Sequence, residues 1–157
     1  MKCTWLFLSA RPGQYWAIGL AACLLSIIAG CGGEPFKLVP VSGKVTYADG
    51  SLIPGDQILV RFVPDQQAVE GKPVPPAATG EVNPQDGTFE GVTTHKYLDG
   101  AVVGTHKVTV VAMKTGPDGS LAPSRAVSEK YQDVATTPLT WDVIAGKPAE
   151  FKIEKGR

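Results

Sequence analysis

Short runs in which apolar and polar residues alternate recur along residues 39–157. A period of two fits a strand with one face buried and one face wet, and no helix can satisfy it. Val39, Val41, Val45 and Tyr47 alternate with Pro40, Ser42, Lys44 and Thr46. Ile58, Val60 and Phe62 oppose Gln57 and Arg61. Weaker runs carry Val82 and Phe89. The run 105–114 places Val108, Val110 and Ala112 on one face. Leu139, Trp141 and Val143 form a sixth run, and Phe151 and Ile153 form a seventh. No segment beyond residue 31 repeats apolar residues at i, i+3, i+4 and i+7, so no long helix is expected there.

Asp-Gly occurs at Asp49-Gly50, Asp86-Gly87, Asp99-Gly100 and Asp118-Gly119, between or beside these runs. The dipeptide suits tight turns because glycine takes positive φ without steric cost. Seven short strands punctuated in this way predict an all-β, seven-stranded antiparallel sandwich of transthyretin-like or Ig-like type over 39–157. Two stretches, 64–76 and 116–128, are rich in Pro and Gly and lack periodicity, and are read as long irregular loops.

The leader is read from its three parts. A secretory signal has a basic start, an apolar middle and small residues before the cleavage point. Lys2 and Arg11 supply the charge, residues 15–28 the apolar middle, and Ala29 and Gly30 the small residues. Ile28-Ala29-Gly30-Cys31 then resembles the lipobox of bacterial lipoprotein signals. That resemblance implies diacylglyceryl, with palmitate-type acyl chains, on the Cys31 thiol and cleavage before it. The chain then divides into a signal peptide at 1–30, a lipidated tether at 31–38 and the β domain at 39–157. The apolar stretch is shorter than the ~20 residues a spanning helix needs. Membrane association would run through the lipid, on the extracytoplasmic side. In a diderm cell the glycine at position 32, where aspartate would favour the inner membrane, implies the outer one.

Cysteine usage agrees with export. Of three cysteines, Cys3 and Cys23 leave with the leader and Cys31 is consumed by lipid, so no thiol is left for catalysis, zinc or redox exchange. Removing Lys2 and Arg11 from 15 basic residues leaves 13 against 15 acidic ones. Neither sign forms a run, and a nucleic-acid partner, which would want a basic stripe, is not expected.

Residues 41–55, with Ser42-Gly43-Lys44-Val45 and Pro54-Gly55, followed by 58–64, resemble the opening of the carboxypeptidase regulatory-like domain. Gly80 to Gly87-Thr88-Phe89 is similar to its central hairpin, and Gly100 to Gly104 with the strand to Val110 is similar to a later one, His106 standing where tyrosine is usual. Residues 128–133 and 137–143 are similar to the closing part seen in small bacterial lipoproteins of this kind. The resemblance implies a transthyretin-like sandwich. Its motifs are turn and core positions, which speak to fold rather than activity.

No catalytic constellation emerges from the remaining residues. His95 and His106 have no metal-ligand spacing, and no Gly-x-Ser-x-Gly elbow is present. By parity His106 shares the face of Val108 and caps the core edge, while His95 falls in a solvated loop. Each Asp-Gly turn carries a single acid, where a calcium loop wants several. Trp141 falls in the core alternation, which leaves Tyr97 and Tyr131 beside loops, with His95, as candidate ligand contacts. The expectation is a lipid-anchored, non-enzymatic module without cofactor or metal at the cell envelope. Its partner would be another envelope protein or a glycan. The alternative is a carrier of a small ligand, carbohydrate or metal.

Overall fold

Two strands form the spine of the protein in this computed structural model, which describes residues 35–66 and 71–156. Strand β3 (Gln57–Pro64) and strand β7 (Gly104–Thr115) pair antiparallel along the whole of β3, from Gln57 opposite Met113 to Pro64 opposite His106. Their alternation is the cause: Ile58, Val60 and Phe62 on one strand and His106, Val108, Val110 and Ala112 on the other are all buried. In this register they lie on one face, and a slip of one residue would turn them all toward water.

Strand β4 (Ala78–Val82) extends this sheet beyond β3. On the other side of β7, two strands share one edge. Strand β9 (Thr140–Val143) pairs with its first four residues, and β8 (Leu121–Pro123) with its last three. A second sheet has the order β10 (Ala149–Ile153), β2 (Gly43–Tyr47), β5 (Thr88–Phe89). The two-residue strands β1 (Leu38–Val39) and β6 (Ala101–Val102) pair separately.

The two larger sheets share one apolar core. The ring of Phe62 on β3 lies 6.1 Å from that of Phe89 on β5 and 6.0 Å from that of Phe151 on β10. It therefore bridges both sheets. Tilted ring pairs at this spacing set the positive edge of one ring against the negative face of the other. The result is an all-β arrangement of antiparallel and mixed sheets, consistent with a sandwich.

Several boundaries differ from the sequence expectation. The run 39–47 is not one strand. Pro40 has no N–H to donate to a ladder, the chain leaves the β1–β6 pair there, and β2 starts afresh at Gly43 in another sheet. With β6 and β8, which none of the alternating runs covers, this makes ten strand segments among the described residues in place of the expected seven. The pairing is not antiparallel throughout, because β2 and β10 run parallel, with Val45 opposite Phe151 and Tyr47 opposite Ile153. A β-carbon on Gly43 would run into the Ala149 carbonyl, so this close approach requires glycine at position 43.

The stretch 116–128 is irregular only in part, since residues 121–123 form β8. Its Asp118-Gly119 turn folds β8 back on β7, and Val127 is wholly buried. The Tyr47 hydroxyl donates to the Ala126 carbonyl at 2.7 Å, and Gly156 N–H donates to the same carbonyl at 2.9 Å. Within 64–76, β3 continues to Pro64, and residues 71–76 carry no strand. The leader at 1–30 and Cys31 lie outside the described residues. Among the described residues no helix is long and apolar enough to cross a membrane.

Candidate functional site

The aspartates of the Asp-Gly turns fall into two kinds, according to the side chain two places further along. Asp49, Asp86 and Asp118 each accept the backbone N–H and the hydroxyl of that residue, which is Ser51, Thr88 or Ser120. These are Asx turns, and Asp49 in addition accepts Lys155 Nζ at 2.8 Å. For Asp99 the corresponding residue is Ala101, which has no hydroxyl, and the carboxylate turns back into the preceding loop. Oδ1 accepts Thr94 N–H at 2.7 Å, and Oδ2 accepts His95 N–H at 2.9 Å and Lys96 N–H at 2.8 Å. Burial pushes the Asp99 carboxyl up, but the three N–H groups outweigh it and hold the group below the ordinary carboxylate range.

The loop 93–100 is thereby tied at both ends. Thr94 Oγ1 donates to the Gly100 carbonyl at 2.5 Å, Leu98 N–H donates to Thr93 Oγ1 at 3.1 Å, and Gly100 N–H donates to Val92 O at 3.0 Å. Leu98 has φ of 56°, the left-handed region that side chains other than Gly, Asn and Asp rarely enter. At the apex Tyr97 is 87 % exposed. It lines an open groove of about 590 Å³ beside β4, whose walls include Thr79, Glu81, Glu90 and Leu98. Phenol and carboxylates of this kind offer stacking and hydrogen-bond acceptance together.

The three expected ligand contacts do not converge. Tyr97 lines the groove and His95, on the same loop, is exposed but does not line it. Tyr131 corrects its expectation: it is 4 % exposed and belongs to the core, so its ring cannot serve as a stacking platform. It ends a short 3-10 turn, Glu129–Tyr131, whose backbone carries it inward; Lys130, whose ammonium lies 5.0 Å from the Tyr131 ring centroid, stays outside and pairs with Glu154 at 2.9 Å.

His106 is more deeply placed than a residue at the core edge. It is 1 % exposed, with the Phe62 ring edge-on at 6.3 Å. Its Nδ1 lies 2.8 Å from the Gly104 carbonyl. A carbonyl only accepts, so Nδ1 carries the proton and Nε2 is an acceptor. Directly opposite on β9 is Trp141, whose Nε1–H can only donate. Both atoms are buried and without a hydrogen-bond partner among the described residues. Burial pushes the His106 pKa below its ordinary value, against the opposing pull of the Gly104 hydrogen bond and the Asp142 charge.

Sequence reasoning passed over the Asp99 clamp, the Glu81 and Glu90 walls and the two buried ring nitrogens. Only the first had a local signal, the missing hydroxyl after Asp99-Gly100. Among the described residues no group of three His, Cys, Asp or Glu side chains is placed to hold a metal ion. No family model matches the chain, and neither a curated protein nor a solved structure matches it.

Proposed function

We propose that this chain is a lipid-anchored, non-catalytic module of the cell envelope. Its leader, 1–30, is removed on export and Cys31 carries the lipid that holds it to the membrane, the outer one in a diderm cell. Its β unit is a transthyretin-like sandwich of the carboxypeptidase regulatory-like kind. The observation that carries this reading is the lipobox Ile28-Ala29-Gly30-Cys31, succeeded after only three residues by the start of the unit Pro35–Arg157. Two or three acyl chains hold a protein stably without any spanning helix. The module acts by binding, through its loops or a sheet edge, to another envelope component.

Intact-mass measurement of the protein from its own membranes tests the reading. A chain starting at Cys31 with added diacylglyceryl mass is expected, and Cys31→Ser should abolish both processing and membrane retention. Retained residues 1–30, or an unmodified thiol, would defeat it.

The small-ligand reading draws on one observation, the exposed Tyr97 over the groove beside β4. Calorimetric titration with a panel of oligosaccharides and divalent ions checks it. Binding lost on Tyr97→Ala would favour a carrier, and silence across the panel favours a protein partner.

A further inference from the structure

The chain enters the β unit at one end of its longest strand. The Lys37 carbonyl accepts the N–H of Val103 at 3.1 Å, and Leu38 lies opposite Val102. Val103 leads directly into β7, whose first residue, Gly104, pairs with Val143. The residues just beyond that terminal pair are Val103 and Ile144, 40 % and 47 % exposed. Ile144 opens a tight turn closed by Lys147 N–H on its carbonyl at 3.2 Å. Lys37 and Lys147 are exposed here. Two nearby acids, Asp142 opposite Thr105 and Asp65 bonded through its N–H to the Thr105 carbonyl, sit one step further along β7, and the tether itself carries Glu34.

Scattered exposed aliphatic residues call for no explanation in themselves. Their position relative to the anchor does. From Cys31 to Lys37 the chain has six peptide steps, which span at most about 22 Å when fully extended. Strand β7, with 12 residues, is about 40 Å long at ~3.3 Å per residue. The anchor therefore holds the entry end within about 22 Å of the membrane, while the far end of the unit, where exposed Leu121 pairs with Thr115, lies the length of β7 away from it.

We infer that the Val103 and Ile144 end of the β unit rests on the lipid surface. The two aliphatic side chains enter the headgroup layer, Lys37 and Lys147 face anionic headgroups, and the Leu121 end projects away. The inference rests on the lipid-anchor reading above and adds an orientation to it. That orientation leaves the loop 116–120, between β7 and β8, facing away from the membrane.

The mature lipoprotein, reconstituted in vesicles of phosphatidylethanolamine and phosphatidylglycerol, permits a direct test. With Cys31 acylated, Val103→Cys, Ile144→Cys and Leu121→Cys each supply a single thiol for a polarity-sensitive dye. All three proteins should float with the vesicles. Aqueous iodide should quench positions 103 and 144 about threefold less than position 121, and a headgroup nitroxide should quench them more. Equal quenching at all three positions in floating protein overturns the orientation and leaves the anchor standing. Protein that fails to float overturns the anchor and the orientation with it. Trp141, the only tryptophan beyond the leader, gives a second measurement on unsubstituted protein. Headgroup-nitroxide quenching of its emission is expected, and its absence counts against the orientation.

Discussion

Acid should weaken this domain through one side chain. His106 is buried, with Nε2 unpartnered among the described residues, and burial holds its pKa below the ordinary 6.5. The unfolded chain then binds a proton at a pH where the folded chain does not, and stability falls as pH falls. The contribution is present in full above about 6.5 and is lost progressively toward the lower, folded-state value. Each pH unit in that window corresponds to about 1.4 kcal/mol. Between about pH 7.5 and about pH 5, up to roughly 2 kcal/mol should be lost through this residue alone, out of a total of ~5–15 kcal/mol for an ordinary domain. The Asp groups held below their ordinary 3.8, such as Asp56 and Asp99, give up their contribution at lower pH and leave this window clear. Urea unfolding at the two pH values, monitored by Trp141 emission, measures the loss. His106→Phe keeps a ring against Phe62 and removes the titration, so its midpoint should move much less. Equal pH sensitivity in the two proteins would refute the reasoning, because the acid response would then belong to other groups.

The packing sets three further outcomes. Phe62→Ala removes a ring that touches both sheets and should destabilise by about 3–5 kcal/mol, read as a lower urea midpoint with an unchanged slope. Gly100→Ala places a β-carbon against the Val39 carbonyl at a φ of 100°, and should separate β1 from β6, seen as faster amide exchange at Val103, the donor to Lys37. Asp99→Ala frees the N–H groups of Thr94, His95 and Lys96, so exchange at those three amides should accelerate while β3 and β7 keep their protection.

The strands that could be read from the sequence are those whose partners lie on both sides of a deep core. Ile58, Val60 and Phe62, or Val108, Val110 and Ala112, alternate because each inward side chain is fully buried, and the pattern survives any detail of pairing. The short strands β1, β6 and β8 were not legible. Two or three residues carry no period, and what makes them strands is the partner brought alongside. The parallel pairing of β2 with β10 was equally hidden, since alternation says which face is buried and nothing about the direction of the neighbour. Tyr131 shows the same limit in the candidate site. An aromatic in a polar stretch reads as exposed, and only the short turn that carries it inward places it in the core.

Chain chemistry by itself determined that this protein is built of β-strands and turns, and where its Asp-Gly reversals fall, because periodicity and positive φ are properties of neighbouring residues. Tertiary structure alone decided which sheet each strand joins, that His106 and Trp141 stand opposite in register, each with a buried ring nitrogen that has no partner among the described residues, and that Tyr97 stands out while Tyr131 is buried. Those are contacts between residues far apart in the chain, and their free energy exists only once the two sheets have closed on Phe62.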